Sequence, residues 1–326
     1  MRYVKCLILC ALIGINTLSI FASDTLTIVS YNVENFFDNR HDTLKNDLEF
    51  TAEGDRHWTY RRFQSKAEHI AQVLVGIGGW HAPCLVGLCE VENERCLRSL
   101  CWHLRTYRYK SIHYESPDER GIDVALLYDS TAFQPIHTQP IKVDLPHSPT
   151  RDILYVQGLL PTHDTLHLYV CHMPSQRGGT AATEWKRRTA KQVLQHHLDS
   201  IRQTSPNADI VIMGDMNSAP ADDLDGMRNM MTTSRICIDL STAKLLSIHG
   251  THKYQGIWSY LDQFYVSPSL SERVQVSIFA PEWLLEEDVK YLGVKPKRTF
   301  YGFKYQDGYS DHLPIVLRLI HSATSR

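Results

Sequence analysis

The stretch ADIVIMGDMNS, Ala208 to Ser218, passes through four apolar residues and stops at Asp215 and Asn217. It is too short for a helix with a buried face and rich in branched side chains, so it reads as a buried strand. On an extended segment an acid and an amide two residues apart point the same way, which puts polar chemistry at the strand's end. The same figure recurs. TLTIVSYNVEN (residues 25–35) stops at Asn32 and Glu34, CLVGLCEVEN (84–93) at Glu90 and Glu92, and TLHLYVCHMPS (165–175) at His172. GIDVALLY (121–128) and WSYLDQFYVS (258–267) are further strands carrying Asp123 and Asp262. Two helices are predicted between them. RRFQSKAEHIAQVLVGIGG (61–79) sets Phe63, Ile70, Leu74 and Ile77 on one face and ends at Gly78 and Gly79. TEWKRRTAKQVLQHHLDSIRQ (183–203) does the same with Ala190, Val193, Leu194, Leu198 and Ile201. Such a mixture predicts an α/β protein with a site along one edge.

With 326 residues, 43% hydrophobic and 21% charged, the chain can bury a core that needs no metal or disulfide to fold. No repeat, low-complexity block or linker interrupts it, so residues 24–326 read as one domain. Residues 1–23 join Arg2 and Lys5 to an apolar run ending in Ala22 and Ser23, the pattern of a signal peptide; a retained anchor is the alternative. No later stretch is long and apolar enough to span a bilayer. An exported protein, periplasmic or extracellular, is expected, acting as a monomer with no stable protein partner. Without Arg2 and Lys5, 34 cations against 36 acids become 32 against 36, which excludes a basic, sequence-blind nucleic-acid binder. Cys89 and Cys171 lie in apolar runs as small buried residues, while Cys96 and Cys101 are the candidate pair for a bridge.

The polar strand ends supply carboxylates (Glu90, Asp215, Asp311), carboxamides (Asn32, Asn217) and imidazoles (His172, His312), with Asp123 and Asp262 in reserve. An oxygen-rich set suits a hard cation, Mg²⁺ or else Mn²⁺ or Ca²⁺, rather than Zn²⁺. A hard cation beside imidazoles points to phosphate-ester hydrolysis, with an activated water as nucleophile. The segments SYNVENFF, GLCEVEN, RGIDVALLY, CHMPSQRGG, MGDMNSAP, WSYLDQFYVS and YSDHLPI, in this order over residues 26–319, resemble the endonuclease/exonuclease/phosphatase superfamily, in an exported bacterial subgroup. The resemblance implies a four-layered α/β sandwich, two mixed sheets face to face with helices outside. It also implies roles. His312 would be the general base or acid and Asp262 its orienting carboxylate, with Glu90, Asn32 and Asp311 around the metal. Asp215 and Asn217 would address water and phosphate, and His172 a phosphate oxygen with Asp123 behind it.

Two loops stand out. Residues 38–60 are long and contain Trp58 and Tyr60, and loops of this length are functional or disordered. Residues 294–308, VKPKRTFYGFKYQDG, read as a phosphate clamp through Lys297 and Arg298, or as a surface turn with core aromatics. Arg177, with Lys186, Arg187 and Arg188, extends a basic track or lines a solvated helix. Three functions follow: a nuclease cutting DNA or RNA, a phosphatase or phospholipase-C-type hydrolase of inositol phosphates or sphingomyelin, and a non-catalytic binding module. An apolar hairpin for membrane contact would favour the second, and the sequence displays none.

Overall fold

The computed structural model describes residues 25–218, 232–233 and 248–320. The segment read as a signal peptide, residues 1–23, lies outside them, as does Cys237. The first sheet takes β1 (Thr25–Phe36), β2 (Leu85–Val91), β3 (Tyr109–His113) and β4 (Asp123–Asp129) from the first part of the chain. The second takes β5 (Gln134–Ile141), β6 (Ile153–Leu159), β7 (Thr165–His172), β8 (Asp209–Asp215) and β9 (Thr232–Thr233). A hairpin, β10 (His252–Tyr254) and β11 (Ile257–Ser259), leads to β12 (Asp262–Val266) of the second sheet and β13 (Val274–Ile278) of the first. Two short ribbons, β14 (Leu285–Glu287) with β15 (Val294–Pro296) and β16 (Phe300–Tyr301) with β17 (Lys304–Tyr305), precede β18 (Ile315–Ile320). The strand orders are β13-β18-β1-β2-β4-β3 and β5-β6-β7-β8-β12-β9.

Side chains alternate between the two faces of a strand, and in the second sheet both faces are apolar. Leu154, Val156, Leu168, Val170, Val211, Met213 and Phe264 face the first sheet. Their neighbours Tyr155, Tyr169, Cys171, Ile210, Ile212 and Tyr265 pack under α3 (Thr180–Thr204), against Ala190, Leu194 and Leu198. On the far side α1 (Tyr60–Gly78) buries Phe63, Ile70 and Leu74 on the first sheet. Its start is capped by the Thr59 hydroxyl, which accepts from the Arg62 amide, and its end by Gly79 at φ 60°. The result is the expected four-layered sandwich with mixed sheets inside.

A helix absent from the sequence reading, α2 (Glu94–His103), carries both Cys96 and Cys101. Both thiols are free. Five residues apart on one helix they are separated by about 7.5 Å along the axis, too far for the bridge expected of them.

The long loop is a plug. Phe37 stacks on Phe50 at 4.0 Å between ring centres, Phe50 meets Trp58 edge-on, and Trp58 packs on Phe300 and Tyr305. The Trp58 indole also donates to the Phe37 carbonyl (2.9 Å). The two loops singled out above therefore share one aromatic core, and the core reading of Phe300 and Tyr305 is the correct one. Trp58 is completely buried. Trp58→Ala is expected to destabilise the fold by about 3–5 kcal/mol, read as a lower urea midpoint at unchanged slope.

Candidate active site

Topology brings the polar strand ends to one rim. β7 and β8 run parallel, so His172 pairs in register with Asp215. β12 runs back along β8, so its first residue, Asp262, lies opposite Asp215. β18 returns along β1, and the turn before it is tied down by the Ser310 hydroxyl donating to the Asn32 carbonyl (2.7 Å). The backbone is bent at this rim. Glu34, Asn35, Glu90 and Asn217 all adopt positive φ, a conformation that Asn tolerates but that is uncommon for Glu and concentrated at functional sites.

The side chains then converge. Asp262 Oδ2 lies 2.7 Å from Nδ1 of His312, which turns Nε2 towards Asp215 Oδ2 at 3.9 Å. His172 Nε2 lies 3.7 Å from the same Asp215 oxygen and 4.0 Å from Glu90 Oε1. The Asn32 amide donates to Asp215 Oδ2 (3.0 Å), while its carbonyl accepts from the Glu34 amide. Asn217 is fixed from both ends, by its own amide on Asp215 Oδ1 and its side chain on the Met173 carbonyl.

Arg298, read as part of a phosphate clamp, has its charge spoken for. It donates to Glu34 Oε1 (3.0 and 3.1 Å) and to Asp311 Oδ2 (2.9 Å). Lys297 instead places its ammonium over the Tyr309 ring. Arg177 is exposed on the loop after His172, which Gln176 anchors to the Asn217 carbonyl. The basic track does not form. Arg187 is buried against carbonyls around the start of α3, Lys186 donates to Ser148, and Arg188 pairs with Glu184.

One assignment is corrected. Asp123 does not stand behind His172: its Oδ1 is held by the amide and hydroxyl of Ser116, and its Oδ2 faces His113. Asp123 is adjacent to Val91 across β2 and β4, one strand outward from the centre.

Charge is distributed unevenly. Burial opposes the charge of His312, but Asp262, Asp215 and Asp311 outweigh it and hold the imidazole well above its ordinary range. His172 goes the other way, driven down by burial and by Arg151, Arg120 and His312, so it is a neutral ring. Burial and Asp262 push Asp215 up to about 6, with His312 opposing. Burial would raise Asp311 too, yet Arg298, His312 and His252 bring it down to about 2.

Sequence reasoning missed two participants. Glu34 was seen only as a strand end, and in the fold it accepts from Arg298 and the Thr299 amide. His252 packs its ring tilted against that of His312, with centres 4.7 Å apart. Its signal was KYQGIW, because Gln255 and Gly256 at positive φ make the tight turn of a two-residue hairpin. That hairpin exposes Tyr254 (66%) and Ile257 (71%), and Gly256 abuts Tyr291 beside exposed Val289 and Leu292. The expectation that no apolar hairpin is displayed is thus overturned.

Residues 27–321 match the sequence profile of the Endonuclease/Exonuclease/phosphatase family. The chain belongs to this family. Among solved structures, truncated TDP2 of Caenorhabditis elegans matches at 16% identity and a TM-score of 0.58, over 91% of this chain and 98% of that one. The mannosyl-6-phosphatase Bt3783 of Bacteroides thetaiotaomicron matches at 15% and 0.58, over 90% and 98%. A third likeness is humanized TDP2 of D. rerio, at 18% and 0.55, over 91% and 99%. At these identities the likeness shows the fold alone. No curated protein matches the chain.

Family members are metal-dependent phosphoester hydrolases, and this chain is one. Its donor set fits a hard cation. Glu90 spends one oxygen on the Asn35 amide (2.8 Å) and keeps Oε1, and Asp311 keeps Oδ1 beside its contact with Arg298. Glu90, Asp311 and the Asn32 carbonyl would hold the ion.

Proposed function

We propose that the protein is an exported, Mg²⁺-dependent phosphodiesterase that hydrolyses DNA or RNA, with residues 1–23 as its signal peptide. The reading rests on the Asp262–His312 pair facing Asp215 at the centre of the rim. Asp262 fixes the ring so that Nε2 can take a proton from water, and Asp215 offers an oxygen to orient that water. The hydroxide adds to phosphorus as the bond to the leaving oxygen breaks opposite it. In this reading His172 and the second N–H of the Asn217 carboxamide, whose first is on the Met173 carbonyl, donate to phosphate oxygens. When bound, the divalent ion neutralises charge on the phosphate and the leaving group.

Charge favours a diester over a monoester. The pocket carboxylates Glu34, Glu90, Asp215, Asp262 and Asp311 outnumber the cations that face them, Arg298 and Lys66, both already hydrogen-bonded, and the His312 ring that Asp262 holds. A monoester brings a charge of about −1.5 to −2 at neutral pH, a diester a single negative charge, so the diester meets less repulsion. Exposed rings beside the site, Tyr254 and Tyr301, the latter 5.7 Å from the Arg298 guanidinium, suit stacking on bases. Exposed Arg177 suits the backbone beyond the scissile phosphate.

The hairpin supports a second reading, a phospholipase-C-type attack on lipid headgroups, since it exposes Tyr254 and Ile257 while its turn at Gly256 abuts Tyr291, in a segment where Val289 and Leu292 are also exposed. Both readings are tested by offering purified residues 24–326 plasmid DNA, RNA, bis-aryl phosphate, inositol phosphates and sphingomyelin vesicles with Mg²⁺. Nucleic-acid cleavage that chelation abolishes and Mg²⁺ restores is the expected result. Release of lipid headgroup or inorganic phosphate alone would overturn the nuclease reading.

A further inference from the structure

A second group of ligand-type side chains lies one strand outward from Glu90. His113 ends β3, Asp123 begins β4, and Glu115 lies in the segment between them. Their nearest donor atoms all fall within 4.8 Å of one another. His113 Nε2 and Asp123 Oδ2 are 3.3 Å apart, and their side chains retain only 7% and 2% exposure. Neither atom makes a hydrogen bond, although both are buried. Leaving a buried donor or acceptor unmade costs about 1–3 kcal/mol, so two facing each other at the rim of a well-packed sheet call for a partner.

We infer that His113, Glu115 and Asp123 form a second divalent-metal site, distinct from the one at Glu90, for a transition ion of the Zn²⁺ type. Two ligands about 2.1 Å from one tetrahedral ion are about 3.4 Å apart, close to the separation of the His113 and Asp123 atoms. One imidazole with two carboxylates suits Zn²⁺ better than Mg²⁺, whereas the set at Glu90 is all oxygen. The surroundings hold the ligands in place. Ser116 takes the other Asp123 oxygen through both its amide and its hydroxyl, and the Tyr114 hydroxyl bonds Thr138. Lys45 ties the next residues down through the Ser116 and Asp118 carbonyls. Such outer contacts orient ligands before an ion arrives. Glu115 is exposed and free to close over the ion from the solvent side.

The site does not depend on which phosphate ester is cut. The test titrates Zn²⁺ into the metal-stripped full domain in excess Mg²⁺, which keeps the Glu90 set occupied, and repeats this for Glu90→Gln, His113→Gln and Glu115→Gln. Wild type and Glu90→Gln should bind one Zn²⁺ per chain with the same affinity. His113→Gln and Glu115→Gln should bind it at least about 10–100-fold more weakly. Glu115 is at the surface, so its variant decides the matter even if His113→Gln fails to fold. No Zn²⁺ bound by wild type, or equal binding by the Glu115→Gln protein, would overturn the assignment.

Discussion

His312→Ala should leave about a hundredth to a ten-thousandth of the wild-type rate on whichever phosphodiester proves to be the substrate, since a positioned proton acceptor contributes roughly 10²–10⁴-fold. The loss should appear in kcat, because Nε2 acts on the attacking water and not on substrate recognition. Removing the ring also strands buried Asp262, whose Oδ2 bonds His312, at a cost of about 1–3 kcal/mol. A melting curve run beside the assay separates this cost from the chemistry. The pH profile supplies a second readout. A base must be neutral to work, and His312 is held above the ordinary imidazole range, so activity should fall with acid along a limb displaced upward. Asp262→Asn removes the foremost of the attractions holding the proton on, so its limb should move to lower pH while the maximal rate drops. A His312→Ala enzyme retaining a tenth of the activity would exclude the ring as base.

That pairing was readable in outline because each partner ends or precedes an apolar run, and strand ends collect on one rim of a sandwich. Asp215, Asp262 and His172 needed only the register of β7, β8 and β12 to meet. What escaped depended on contacts made across the fold. Arg298 is one of many basic residues in a loop, and only the return of that loop over β1 sets it between Glu34 and Asp311. Asp123 misled because it too begins a strand at the rim, but β4 is displaced from the centre by β2 and its partner is His113. Cys96 and Cys101 misled because α2 is short and polar, burying only Cys96, Leu97 and Leu100. Its start signal was present in Asn93, whose side chain accepts from the Cys96 amide.

Gly214→Ala is expected to prevent the domain from accumulating in folded form, although the substitution adds one methyl group. Gly214 sits inside β8 at φ 139°, and a Cβ there would lie 1.8 Å from the Cys171 carbonyl oxygen and within 3 Å of that residue's carbon and nitrogen. All three are backbone atoms, so no side chain can swing away. Relief requires β7 and β8 to part, and they are the central parallel pair of the second sheet, with Cys171 opposite Gly214 and His172 opposite Asp215. Such overlap belongs with the exceptional costs above about 4–5 kcal/mol, a large share of the roughly 5–15 kcal/mol that holds a domain together. Gly293→Ala is the matched control. Its φ of 73° is equally unsuited to a side chain, but nothing lies within 4 Å of the added carbon. It should cost only about 1–2 kcal/mol of backbone strain. Soluble yield and urea midpoints of the two variants measure the difference, and equal midpoints would show that the strands do not approach as closely as described. The approach matters beyond stability, because the backbone contact that excludes a methyl group at Gly214 also brings Asp215 within 3.7 Å of His172. Any larger residue that folded by spreading the pair should therefore lose activity before it lost structure.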